Sequence, residues 1–202
     1  MNKPELIIFD LGRVLVDFDF KKVIRELKKH TRFSEKEIQH YFETTPLWDA
    51  FERGTVRPQP FFKQLSKELE LRDLNFEQFK PFWNDIFTVK QDTIAVLEKL
   101  RGRYRLAILS NVNEMHWGHI VEKHAFISWF DHPIASYAIG LRKPEHAIYH
   151  KALQIAGNIP AGKAMFFDDV KDHITAAREV GIRAHLFTTA EQLIKDLDGV
   201  LE

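Results

Sequence analysis

The chain has 202 residues, of which 45% are apolar, with 29 Lys+Arg balancing 29 Asp+Glu. Neutrality excludes a domain-wide basic footprint for nucleic acid, and the absence of Cys excludes disulfides, thiolate catalysis and cysteine zinc sites. That length predicts one domain, or a domain carrying a sizeable insertion.

Residues 5–9 read as a short buried strand that stops on Asp10 and Gly12, and an apolar run resumes behind them. This apolar stretch is too short for a signal peptide, and nothing later approaches the ~20 apolar residues that span a bilayer. The expectation is a cytoplasmic protein with no membrane partner.

From about Asp17 the pattern becomes helical. Phe20, Val23, Ile24 and Leu27 share helical spacing. Ser34 with Glu37 forms a capping-box pattern ahead of Ile38, Tyr41 and Phe42. Residues 48–54 read as a polar-aromatic segment on the loop side. Phe61, Phe62, Leu65 and Leu69 give the next helix, opened by Pro58 and Pro60, and Phe76, Phe79, Phe82, Trp83 and Ile86 give one more.

A helix over 92–100 then leads to a second strand at 105–109. A helix over 114–123, a weak strand at 133–136 and a helix over 145–156 ending at Gly157 follow. A strong strand at 164–167 stops on Asp168. A helix reaching Gly181, a strand at 184–187 and a helix over 190–197 complete the chain. Strand–helix alternation predicts parallel βαβ units. The fold class expected is α/β, a Rossmann-like parallel sheet in a three-layer core. That core comprises 1–16 plus 88–202, with an all-helical cap at 17–87 inserted after the first strand.

Open α/β sheets bind ligands beyond the carboxyl ends of their strands. The polar residues there are Asp10 and Gly12, Ser110 and Asn111, Asp168 and Asp169, with Lys143 after the third strand. An aspartate at a strand end serves equally as a turn or helix cap. Together, however, these residues would share one rim. Two carboxylates ~4 Å apart repel by roughly 1 kcal/mol in water and ~4 kcal/mol at an effective dielectric of 20. Lys143 alone does not neutralise three of them, whereas a divalent cation does, and hard oxygen ligands favour Mg²⁺. Asp10 beside that ion would be an ionised nucleophile. Ser110, backbone N–H groups near Asn111, and Lys143 would hold a phosphate. These parts suit phosphoryl transfer to a carboxylate, followed by hydrolysis.

Four motifs carry a family resemblance: Asp10-Leu11-Gly12-Arg13-Val14, Ile108-Leu109-Ser110-Asn111, Lys143-Pro144, and Phe167-Asp168-Asp169-Val170-Lys171-Asp172. Over its whole length the chain resembles the haloacid dehalogenase-like hydrolases, in their Mg²⁺-dependent phosphatase branch with a helical cap. The resemblance implies that Asp10 is nucleophile and metal ligand, and that the Gly12 carbonyl, Asp168, Asp169 and Asp172 complete the metal set. It implies that Ser110 and Asn111 bind phosphate and that Lys143 orients it. With Leu109-Ser110-Asn111-Val112-Asn113, the first motif is similar to that of bacterial phosphatases acting on hexose phosphates such as α-glucose 1-phosphate.

The chain departs from many such phosphatases at Gly12, where an acid–base aspartate would stand. A good leaving group, or another group such as a water held by Asp169, Asp17 or a cap residue, would have to replace it. The alternatives are a catalytically weak or inactive phospho-ligand sensor and a haloacid dehalogenase; the Asp168-Asp169 pair favours phosphate esters over haloacids. Substrate recognition falls to Arg13, Asn113, Trp48 and Arg53, with Trp48 stacking on a sugar face and Arg53 or Glu52 bonding its hydroxyls. Read differently, Trp48 is cap core and Arg53 is solvated. His116 and His119 read as surface histidines, though His116 also follows the phosphate-binding strand. A small phosphate ester is the expected partner, and the chain is expected to be a monomer or homodimer.

Overall fold

The computed structural model describes residues 3–201. β1 (Leu6–Phe9) lies at the centre of a five-stranded sheet and is buried at every position. β4 (Arg105–Ser110) and β6 (Ala164–Asp168) flank it, with β5 (His132–Ala135) beyond β4 and β7 (Arg183–Leu186) beyond β6. All four pairings are parallel.

Side chains alternate across the sheet. Ile7, Phe9, Ile108 and Phe167 face α6 (Gln91–Leu100), α7 (Glu114–Lys123) and α11 (Ala190–Asp196), which contribute Leu97, Ile120 and Leu193. Leu6, Ile8, Leu109 and Phe166 face α9 (His146–Ile155) and α10 (Lys171–Glu179), which contribute Tyr149, Ala152 and Ala177. Helices on both faces make β1 apolar at every residue rather than at every second one.

Between β1 and the rest of the sheet the chain forms five helices: α1 (Phe20–Lys28), α2 (Glu35–Thr44), α3 (Pro46–Glu52), α4 (Pro58–Glu68) and α5 (Phe76–Asn84). They enclose an aromatic core of their own, in which Phe51 stacks on Phe61 at 3.9 Å and Trp83 packs against Phe61, Phe79 and Phe20. The Ser34–Glu37 capping box is present at the start of α2, and Asn75–Gln78 forms a second at α5.

Three features depart from the sequence reading. Residues 48–54 are not a loop-side segment: α3 starts at Pro46, capped by the Thr45 side chain. β2 (Val16–Phe18) and β3 (Phe87–Val89) pair antiparallel, so the chain enters and leaves the helical region through one two-stranded ribbon. The third sheet strand ends at Ala135, and Ser136 opens the short helix α8 (Ser136–Ile139).

α3 docks directly on α8. Gly54 has φ +71, and a Cβ placed there would stand 2.1 Å from the Tyr137 carbonyl oxygen. Gly54→Ala should therefore combine backbone strain with a backbone clash, and cost more than about 1 kcal/mol. Denaturant unfolding checks this; an unchanged midpoint would show that α3 is not seated on α8 in solution.

Candidate active site

The carboxyl ends of β1, β4 and β6 bring the chemistry together. Asp10 extends β1, its N–H donating to the Phe167 carbonyl at 2.8 Å. Asp168 ends β6 and is fully buried. Lys143 Nζ donates to Asp10 Oδ1 at 2.7 Å and to Asp168 Oδ2 at 2.6 Å, and the lysine is only 3% exposed. Asp169 completes the group: one carboxylate oxygen each from Asp10, Asp168 and Asp169 lie within 4.8 Å of one another.

The lysine is held from its own backbone. Its N–H donates to Asn111 Oδ1 at 2.8 Å, and Asn111 Nδ2 donates to the Lys143 carbonyl at 2.9 Å. The Asn111 amide is thus spent on positioning Lys143, which leaves its backbone for a substrate. Ser110, 3% exposed at the end of β4, lines a cavity of ≈ 100 Å³ with Gly12, Asn111, Trp48 and Glu52. Phe18, Phe20 and Trp48 also line a neighbouring cavity of ≈ 390 Å³, whose rim includes Arg13, Gln39 and Glu43.

One lysine facing three carboxylates leaves negative charge in excess. Burial pushes the Asp10 carboxyl up, and Asp168 adds to the rise against Lys143. Burial, then Asp168, likewise raises Asp169. Burial also acts upward on Asp168, but Lys143 and His173 outweigh it and hold that carboxyl low. Burial works against the Lys143 ammonium, yet the two aspartates keep it charged. A largely buried site with surplus anionic charge is one that a cation would relax.

Several expected contacts are rearranged. Asp172 is exposed in the first turn of α10 and is not one of the three clustered carboxylates. Its neighbour His173, unmarked in the sequence, places Nδ1 2.9 Å from Asp168 Oδ1. Asn113 does not face substrate: it is fully buried, its Oδ1 accepting from the His116 N–H at 3.0 Å as the cap of α7. His116 is buried, not a surface histidine. Its Nε2 sits 3.0 Å from the Trp83 carbonyl, its ring stacks on Trp83, and burial pushes its pKa down to about 3.

Arg53 is half-buried and engaged in ion pairs. Its Nε donates to Asp49 at 2.8 Å and its Nη2 pairs with Glu145, so it ties α3 to the segment carrying Lys143. Arg142 does the same, pairing with Asp49 and Glu52 at 2.5 Å each. Arg13, at φ 57, lays its guanidinium over the Phe18 ring at 4.8 Å and points to the outer cavity. Trp48 touches both cavities.

A parallel sheet with aspartates and one buried lysine converging at its carboxyl edge defines an α/β protein with a charged site beyond its strand ends. A family model for haloacid dehalogenase-like hydrolases matches residues 4–181, and the chain belongs to that family. Among its relatives is a D-ribitol-5-phosphate phosphatase of Bacteroides thetaiotaomicron, 28% identical over 183 residues and 87% of each chain. Phosphatase MT3486 of Mycobacterium tuberculosis is 25% identical, covering 96% of this chain and 94% of that one. The fold is shared with the HAD family enzyme bt-2542 of Bacteroides thetaiotaomicron, crystallised with magnesium and inorganic phosphate. The TM-score is 0.82 at 24% identity, over 92% of this chain and 94% of that one.

Proposed function

We propose that the protein is a Mg²⁺-dependent phosphatase that hydrolyses a small phosphorylated metabolite through an aspartyl-phosphate on Asp10. The observation that carries this is the group formed by Asp10, Lys143, Asp168 and Asp169. The carboxylates offer hard oxygens and no sulfur, which fits Mg²⁺ better than zinc or copper. Asp10, the Gly12 carbonyl, Asp168 and Asp169 would hold the ion; the exposure of Asp172 leaves it outside this proposal. Bound there, Mg²⁺ supplies the positive charge that offsets nucleophile and phosphate together.

The chain's own residues do the rest. Asp10, held by Lys143, is aimed as nucleophile. Ser110 and the backbone at Asn111 bind the phosphate oxygens, and Lys143 balances their charge while staying protonated. Residues 17–87, with their separate aromatic core, act as the cap that closes over the rim.

For the substrate we propose a sugar or sugar-alcohol phosphate, hexose 1-phosphates included. The ribitol-phosphate activity of one relative supports this, as does Trp48, which lines the same cavity as Ser110. A hemiacetal oxygen also leaves more easily than a simple alcohol, which suits the missing carboxyl at Gly12. That same glycine favours a second reading, a phospho-ligand sensor without turnover.

A panel of sugar, polyol and nucleoside phosphates, assayed for phosphate release in Mg²⁺ and again in EDTA, separates the two. Release that EDTA abolishes is expected. Binding without release across the panel would favour the sensor, and release indifferent to EDTA would overturn the metal.

No helix among the described residues is long and apolar enough to cross a membrane. We place the protein's work in the cytoplasm, on a diffusible substrate.

A further inference from the structure

Breaking a phosphate ester releases an oxygen that needs a proton, and hydrolysing the acyl phosphate needs a base for water. The position two residues after Asp10 cannot serve. Gly12 has no side chain, and a Cβ there would already meet the Phe18 ring at 3.2 Å. The group must come from elsewhere on the wall of the same site.

The cavity beside Gly12 and Ser110 has ≈ 100 Å³, room for about three waters. Two ionisable side chains line it, Glu52 and His116. His116 is committed: its nitrogens face Asn113 and the Trp83 carbonyl at 3.0 Å each, and it stays neutral. Glu52 is different. It is 7% exposed, it hangs from the last turn of α3, and Arg142 holds it as an ion pair. Its Oε2 is the oxygen that Arg142 Nη2 holds at 2.5 Å. Its backbone carbonyl accepts from Ser136 Oγ at 2.6 Å, which fixes the helix end that presents it.

We propose that Glu52 is the acid–base residue of the reaction, reaching from the cap into the cavity beside Gly12 to replace the carboxyl missing there. The proposal rests on the phosphatase reading of Asp10. In the first step an Asp10 oxygen bonds phosphorus, the P–O ester bond breaks, and the departing oxygen takes the proton of Glu52. In the second step a water oxygen bonds phosphorus, the bond from phosphorus to Asp10 breaks, and the water's proton passes to Glu52. Ester and water become alcohol and phosphate, and Glu52 ends as it began. Burial pushes its carboxyl up, against the pull of Arg142 and with the push of Asp49.

The test uses two substrates of unlike leaving group. On an alkyl phosphate, Glu52→Gln should lose about 10²- to 10⁴-fold in kcat. On p-nitrophenyl phosphate, whose phenolate leaves unaided, the same variant should release one equivalent of nitrophenol per enzyme in a burst and then turn over slowly. Glu52→Asp keeps the charge and the arginine pair. It should show a smaller loss that still falls harder on the alkyl ester, and it stands in should Glu52→Gln fail to fold. Unchanged rates, or equal losses on both substrates without a burst, would overturn the proposal while leaving the phosphatase reading intact. An unsubstituted protein inert on every ester would overturn both.

Discussion

Asp10→Asn should lose phosphate release by at least about 10⁴-fold while melting no lower than the unsubstituted protein. Removing a nucleophile that acts in concert with its partners typically costs several orders of magnitude, because binding and electrostatics alone remain. The amide is nearly isosteric with the carboxylate but does not attack phosphorus. The stability half of the expectation comes from charge. Asp10 is pushed up by burial and by Asp168, so a neutral side chain relieves repulsion, while Lys143 keeps its contact to Asp168 at 2.6 Å. Steady-state phosphate release and a thermal scan in EDTA measure the two halves separately. A variant that unfolds would show Asp10 to be structural, and one that retains turnover would remove it as nucleophile.

Strand ends and helix faces differ in how openly a sequence shows them. Residues 6–9 and 164–167 announce central strands because burial on both faces leaves no polar position, and parallel topology then sends Asp10 and Asp168 to the same edge. Once that is granted, the meeting of Asp10, Ser110, Lys143 and Asp168 at one rim follows from connectivity. What lies after a strand end is harder. Asp169, Asp172 and His173 all sit within one turn of each other, and only the angle at which α10 starts decides that Asp172 points to solvent while His173 reaches Asp168.

Short-range chemistry hid Asn113. Its place one residue before α7 is a capping position, and capping competes with ligand binding for the same amide. The three-residue strands β2 and β3 carry too few positions for alternation to register. The links Arg53–Glu145 and Arg142–Asp49 join the α3 segment to the Lys143 segment across about 90 residues of chain. No local pattern encodes them, though Asp49, Glu52 and Arg53, in and just after one short helix, are a visible cluster of charge.

Lys143→Met is expected to be the most destabilising substitution at the site, by about 3–5 kcal/mol in EDTA, the usual cost of stripping one partner from a buried ion pair. Methionine fills much of the aliphatic stem's volume, so packing changes little and the effect isolates charge. The ammonium lies 2.7 Å from Asp10 and 2.6 Å from Asp168, with 1% of the lysine side chain exposed. Without it, Asp168 keeps His173 and the Val170 N–H, but Asp10 faces two other carboxylates with no cation. Saturating Mg²⁺ should return part of the loss, because the ion enters the folded site and not the unfolded chain. Catalysis should not recover with stability: the substrate phosphate still lacks the lysine's charge, and loss of one such stabilising donor costs about 10²- to 10³-fold in kcat. Denaturant midpoints with and without Mg²⁺, set beside phosphate release, resolve these effects. Equal midpoints for variant and unsubstituted protein in EDTA would mean that the aspartates tolerate each other unaided, and the electrostatic case for a cation among them would fall.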